Sequence, residues 1–304
     1  MHKSYFITEG ERYVPTSISR GYWVDDTVTG AATASLLAAC LEQAWGGPDY
    51  VATRFSIDML GLVPARPLKV ELRLLKDGRR LKLGEASITG DDGQLLARAT
   101  CQFALRTQNP ENATWQAPGW SAPSPEQMGP HLSFGSWDLL PLPPQYNRIR
   151  KEGFHAPRVA PGNAPVLGPL CPVEARQAWF RPNNRAVADM PLTPFLRAAM
   201  VADFVSPVAN SSEYGIDFIN TDFTLYLCRE PAGEWIGLEM VSHHARDGIA
   251  IGECWLHDVA GPLGSVNLSA LAQLRKRTGP VPRDPEPDAA AVAARRSDAA
   301  LETA

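Results

Sequence analysis

The sequence predicts an α+β protein: two antiparallel sheets in tandem, each wrapped around one central helix. Three observations predict it. The chain matches itself at a single offset of 168 residues, each match region opens with a helix of small apolar residues, and four long strands follow each helix. At that offset Phe55 meets Phe223, "LGEA" at 83–86 meets "IGEC" at 251–254, Gly93 meets Gly261 and Leu95 meets Leu263. The register holds over about 50 residues without a gap, as a duplication requires.

In chain order, an extra strand is predicted near 4–9. The first helix covers "GAATASLLAACLEQAW" at 30–45, where Ala and Leu recur at a spacing that buries most of the circumference. Strands follow at 51–60, 68–76, 79–90 and 94–106, joined by the hairpin signals "KDGRR" and "GDDGQ". The second copy repeats the plan. A strand near 174–181 and a helix in "TPFLRAAMVADFV" at 193–205 precede strands at 218–228, 234–242, 247–258 and 263–274. The predicted organisation is a domain at 1–106, a Pro- and Gly-rich linker at 107–172 pinned by Trp115, Trp120 and Trp137, a second domain at 173–275, and a disordered tail at 276–304.

Composition excludes several classes. Hydrophobic residues make up 44% and charged residues 20%, so the chain can bury ordinary cores. A net charge of −4 gives no electrostatic case for nucleic acid or an anionic membrane surface. No apolar run reaches transmembrane length, so no membrane span is expected. The start "MHKSYFITEGERY" lacks the apolar core of a signal peptide, so a cytoplasmic location is expected. Cys40, Cys101, Cys171, Cys228 and Cys254 form no CxxC pair, which predicts reduced, buried thiols rather than disulfides or a zinc site. "HHARD" at 243–247 lacks a metal-ligand spacing and reads as a solvated turn.

These residues resemble a known family. "VTGAATASLLAAC" and "VELRLLKDGRRLKLGEASITGDDGQLLARATCQF" in the first copy are similar to acyl-CoA thioesterase II-like proteins. So are "WFRPNNR", "MVADFV", "INTDFTLYLCREPAGEWIGLEM" and "GIAIGECWLHDVAGPLGSV" in the second. The resemblance covers about 20–106 and 175–275 and implies a double hotdog fold.

The resemblance further implies a site between the halves, where water attacks the thioester carbonyl of an acyl-CoA. The family's aspartate falls on Asp203, its hydroxyl position on Asn220 and its glutamine position on Asn267, while the HGG-type helix entry becomes Thr29-Gly30-Ala31. On this reading Asp203 is the base and Asn220 and Asn267 hold the water. Backbone amides near Gly30 and Ala31 polarise the carbonyl, and the acyl chain runs beside Leu36, Leu37 and Met200.

No metal or redox cofactor is implied. CoA is part of substrate and product, an acyl-carrier thioester is an alternative donor, and a homo-oligomer stays open. The first copy has Ala52 for Asn220, Ala99 for Asn267 and, if the helices keep register, Ser35 for Asp203. Two other functions remain open: a non-hydrolytic acyl-thioester binding protein and a hotdog hydratase.

Overall fold

The computed structural model describes residues 3–21, 24–116, 119–143, 146, 176–212 and 215–273. Cys171, the later part of the expected linker and the expected tail lie outside the described residues. The first copy comprises β1 (Ser4–Glu9), β2 (Arg12–Pro15), α1 (Gly30–Trp45), β3 (Tyr50–Met59), β4 (Glu71–Asp77), β5 (Leu81–Thr89) and β6 (Leu95–Leu105). Next come β7 (Leu132–Phe134), β8 (Trp137–Pro141), β9 (Gln177–Pro182) and β10 (Arg185–Val187). The second copy continues with α2 (Pro194–Ala202), α3 (Val205–Asn210), β11 (Ser211–Ser212), β12 (Gly215–Ile216), β13 (Phe218–Asn220) and β14 (Asp222–Leu227). It ends with β15 (Ile236–Arg246), β16 (Ile249–Asp258) and β17 (Gly261–Ala272).

Twelve strands form one sheet in the order β4-β5-β6-β3-β14-β17-β16-β15-β9-β8-β7, with β13 also paired to β17. The copies join where β3 pairs antiparallel with β14. A smaller sheet pairs β1 with β2 and, in parallel, with β10, so the first strand of the chain crosses to the second copy.

The first helix of each copy begins at a threonine cap. Thr29 Oγ1 accepts from Ala32 N at 3.2 Å, and Thr193 Oγ1 accepts from Leu196 N at 3.1 Å. In α1, Ala32 through Leu41 are all buried, which explains why its apolar residues occupy nearly every position. One core spans both copies. The Phe55 ring of β3 lies 6.1 Å from Phe195 of α2 and 5.9 Å from Phe223 of β14, centroid to centroid. Burying each such ring stabilises the fold by about 1.5–3 kcal/mol.

The matched glycines Gly84 and Gly252 have a shared packing role. A Cβ on Gly84 would stand 2.1 Å from the Trp45 ring of α1, and one on Gly252 would stand 2.6 Å from Ala209 Cβ of α3. Both let the far end of a helix rest on the sheet. Trp45 and Ala209 are 164 residues apart, as are the caps Thr29 and Thr193. The helices therefore correspond at 164, while β3 and β14, like β5 and β16, correspond at 168, a difference of about one helical turn. This corrects the expected helix register: the counterpart of Asp203 is Ala39, not Ser35. β6 and β17 correspond at 167, which sets Thr100 rather than Ala99 opposite Asn267 in the comparison.

The structure differs from the sequence reading in three further places. The expected linker supplies β7 and β8, which extend the sheet beside β9. Trp137 is buried against Phe204, and Trp120 packs on Trp179 in a second small core with Leu140 and Leu142, but Trp115 is exposed and pins nothing. Cys40, Cys101 and Cys254 are buried thiols, whereas Cys228 is exposed at the end of β14. The "HHARD" histidines lie within β15, and the turn falls at Asp247-Gly248, where φ is 54° and 80°.

The strand expected at 218–228 is interrupted by a β-bulge. Asn220 pairs with Ala270 and Thr224 with Asn267, so Thr221 and Asp222 together oppose Ser269. In the first copy, Ala52 pairs with Phe103 and Arg54 with Gln102, so Thr53 is the extra residue at the equivalent place.

Candidate active site

Asp203 sits where the second helix breaks. Pro207 has no N–H to give the Asp203 carbonyl, which accepts instead from Ser206 N at 3.1 Å. The sequence reading ran one helix through 193–205; the structure ends α2 at Ala202 and starts α3 at Val205. The break carries the Asp203 carboxylate to the start of α1. Burial pushes its pKa up to about 6, against a smaller lowering effect from the Asn220 amide. No cation pairs with it among the described residues.

The bulge aims Asn220. Residues on alternate sides of a strand face opposite ways, and the extra residue resets that alternation. Phe223 and Leu225 face the core and Asp222 faces outward, yet Asn220 shares the inner face with its partner Ala270. Its Nδ2 reaches Asp203 Oδ1 at 3.5 Å and Met59 Sδ at 3.8 Å. Asp222 is held on the other face by Ser269 N at 3.1 Å, by the Ser269 hydroxyl and by Thr221 Oγ1 at 3.1 Å.

Gly30, the first residue of α1, completes the cluster. A Cβ there would lie 3.2 Å from Met59 Sδ, 3.3 Å from Met59 Cε and 3.4 Å from Asp203 Oδ1. The Ala32 N–H is taken by the Thr29 side chain and the Thr33 N–H by the Thr29 carbonyl. The N–H groups of Gly30 and Ala31 have no acceptor among the described residues. They present the positive end of a 16-residue helix next to a carboxylate.

Asp203, Asn220 and Gly30 thus meet, and Ala31 follows on the same helix turn. Asn267 does not join them. Val266, Leu268 and Ala270 of β17 are buried in the core, so Asn267 between them points to the outer face, beside Thr224 and Glu253. The expected role of Asn267 in holding water is therefore corrected by strand alternation. Leu36, Leu37 and Met200 are fully buried in the packed core, with no accessible surface at a site mouth. Met59 was not singled out from the sequence, where it reads as one more apolar strand residue.

The twin location in the first copy lacks every chemical group of this cluster. Helix correspondence puts Ala39 at the Asp203 position and Pro194, which has no N–H, at the Gly30 position; strand correspondence puts Ala52 at the Asn220 position. The described residues therefore hold this constellation at one of the two related places.

Other motif residues serve the scaffold. Arg229 of "REPAGEW" grips Asp258 through two bonds of 2.6 and 2.7 Å, and Asp258 also accepts from Ala232 N and Ala260 N. His243 faces inward, 3.3 Å from Asn210 Oδ1, while His244 faces outward across from Ile251. Burial, helped by Arg176 and His244, pushes the His243 pKa down.

The fold is that of the double hotdog proteins, and the comparisons say which of their families this chain matches. Residues 19–104 match the family model described as the acyl-CoA thioesterase N-terminal domain. Residues 111–271 match the model described as the acyl-CoA thioesterase C-terminal domain. The chain belongs to the acyl-CoA thioesterase family.

Among solved structures, a tesB protein of Mycobacterium avium subsp. paratuberculosis is similar with a TM-score of 0.60 at 15% identity, covering 88% of this chain and 96% of that one. An acyl-CoA thioesterase II from Mycobacterium marinum has a TM-score of 0.56 at 17% identity, covering 90% and 96%. A conserved protein with a hot dog fold from Alicyclobacillus acidocaldarius has a TM-score of 0.57 at 12% identity, covering 89% and 96%. At these identities the likeness is one of fold. No curated protein sequence matches the chain significantly. Among the described residues, no helix is long and apolar enough to cross a membrane.

Proposed function

We propose that this protein hydrolyses an acyl thioester, with acyl-CoA as the donor, to a carboxylic acid and a free thiol. One observation carries the reading. A carboxylate with its pKa raised to about 6 stands between an amide side chain and two N–H groups at a helix start that have no acceptor among the described residues, at the junction of the two copies. Thioester hydrolysis needs a positioned water, a base and donors for the developing oxyanion.

Asp203 takes a proton from the water as its oxygen attacks the carbonyl carbon. Asn220 orients that water, since its amide both donates and accepts. The carbonyl oxygen gathers charge against the N–H groups of Gly30 and Ala31. When the tetrahedral intermediate collapses, the C–S bond breaks and the thiolate recovers the proton from Asp203. The base must do this without Asn267, whose side chain points to the outer face.

That smaller set of groups is also the observation favouring the second reading, a protein that binds acyl thioesters without cleaving them. Thiol release from a panel of acyl-CoAs separates the two. Turnover that falls at least about 100-fold in Asp203→Asn supports hydrolysis. Saturable binding with no Asp203-dependent release overturns it and leaves the binding function.

A further inference from the structure

Met59 is the apolar side chain that touches both Gly30 and Asn220 of the cluster. It ends β3, so it comes from the first copy, while Asp203 and Asn220 come from the second. Its backbone is fixed, because Met59 N donates to Thr221 O at 2.7 Å across the seam and so locks to the bulge that aims Asn220. Its side chain is not fixed in the same way. It is only partly buried, packs at the margin of the core, and has three rotatable bonds ending in a soft thioether.

That thioether occupies the hollow left by the missing Gly30 side chain, with Sδ 3.2 Å and Cε 3.3 Å from the place a Cβ would take, closer than ordinary contact. It also draws on the same Asn220 Nδ2 that reaches Asp203. The thioether therefore lies beside the polar atoms that the proposed hydrolysis uses, on the Gly30 side of the cluster.

We infer that Met59 is the residue that selects the acyl group beside the carbonyl, admitting straight chains and rejecting those branched or aromatic at the α-carbon. The inference rests on reading the site as one for acyl thioesters. A straight chain leaves the flexible side chain room to fold back along it. A branched or aryl α-carbon fills the space the methionine must enter, and a methylene-scale conflict of this kind discriminates about 10–200-fold.

The test compares kcat/KM for octanoyl-CoA, isobutyryl-CoA and benzoyl-CoA in wild type, Met59→Ala and Met59→Leu. Thermal unfolding of each confirms that the variants are folded. Wild type is expected to prefer octanoyl-CoA. Met59→Ala is expected to raise the branched-to-straight and aryl-to-straight ratios by about 10-fold or more, and Met59→Leu to stay within about 3-fold of wild type.

The same ratios are read as Kd for non-hydrolysable 2-oxoalkyl thioether analogues of CoA, so that a protein that binds without cleaving still reports on Met59. An unchanged ratio in Met59→Ala, or an equal loss for every acyl group, overturns the role of Met59 alone. A wild type that neither turns over nor binds any of the three overturns both this inference and the thioester reading.

Discussion

Ser56 and Thr224 hold the same position in the two copies, and their hydroxyls hydrogen-bond to each other at 2.7 Å across the seam. The strand pair β3–β14 is therefore a repeated segment paired with its own duplicate about a local two-fold axis. Phe55 and Phe223 meet beneath it in a single core. The two copies are expected to unfold in one transition. In a double-mutant cycle, Ser56→Ala and Thr224→Val should couple by about 0.5–1.5 kcal/mol, the worth of one hydrogen bond. Coincident chemical denaturation curves by fluorescence and circular dichroism check the first expectation, and their midpoints check the second.

Asp203 has a raised pKa, so its titration should be visible in both activity and stability. Only the ionised form accepts a proton, so kcat/KM should rise with pH and level off above an inflection near 6. A carboxyl whose pKa is higher folded than unfolded favours the fold while protonated, and loses that contribution as pH climbs through the folded value. Asp203→Asn should therefore raise the melting temperature by several degrees at pH 8 and by less at pH 5, while removing turnover. A pH–rate profile and melting curves at the two pH values measure both.

Gly30 has contact on two sides, with Met59 and Asp203. A branched side chain there must displace one of them and move the helix start away from the carbonyl. Gly30→Val is expected to cost about 10²–10³ in kcat, the usual loss on removing an oxyanion donor. Single-turnover thiol release checks this, with a melting curve to confirm folding.

Glu42 offers a pH effect far from the chemistry. Its carboxyl accepts from Thr193 Oγ1 at 2.7 Å, joining the end of α1 to the cap of α2. Burial pushes its pKa up to about 7, against the lowering effect of the Thr193 hydroxyl and with a further push from Glu230. Its contribution to stability is full below about pH 4.5 and fades as pH rises through 7. Glu42→Gln should be more stable than wild type at pH 8, with the gap closing toward pH 4. Melting curves over that range would count against the assignment if the gap stayed constant.

Much of the fold was legible because strand alternation and the spacing of Gly84 and Gly252 repeat at one offset. The helix Gly30–Trp45 was legible to the residue, since a run of small apolar residues between a threonine and a glycine leaves little choice of ends. What was hidden follows from single-residue events. A β-bulge adds one residue and reverses every side chain after it, yet leaves the apolar pattern on each side intact, so the direction of Asn220 could not be read. The face of Asn267, by contrast, stands in the plain alternation of Val266, Leu268 and Ala270, which the family match overrode. The shift of the helices to an offset of 164 was masked by the stronger strand match. Met59 was missed although the seam itself marks it: pairing the twin strands about Ser56 and Thr224 sets position 59 against 221.

The bulge occurs in both copies, with a threonine at the extra position each time, Thr53 and Thr221. What separates the halves is their side chains, with Ala39, Ala52 and Pro194 where the other half has Asp203, Asn220 and Gly30. The first copy carries the same bent strand without those groups, and with it a second place in this molecule where new chemistry has a backbone already prepared.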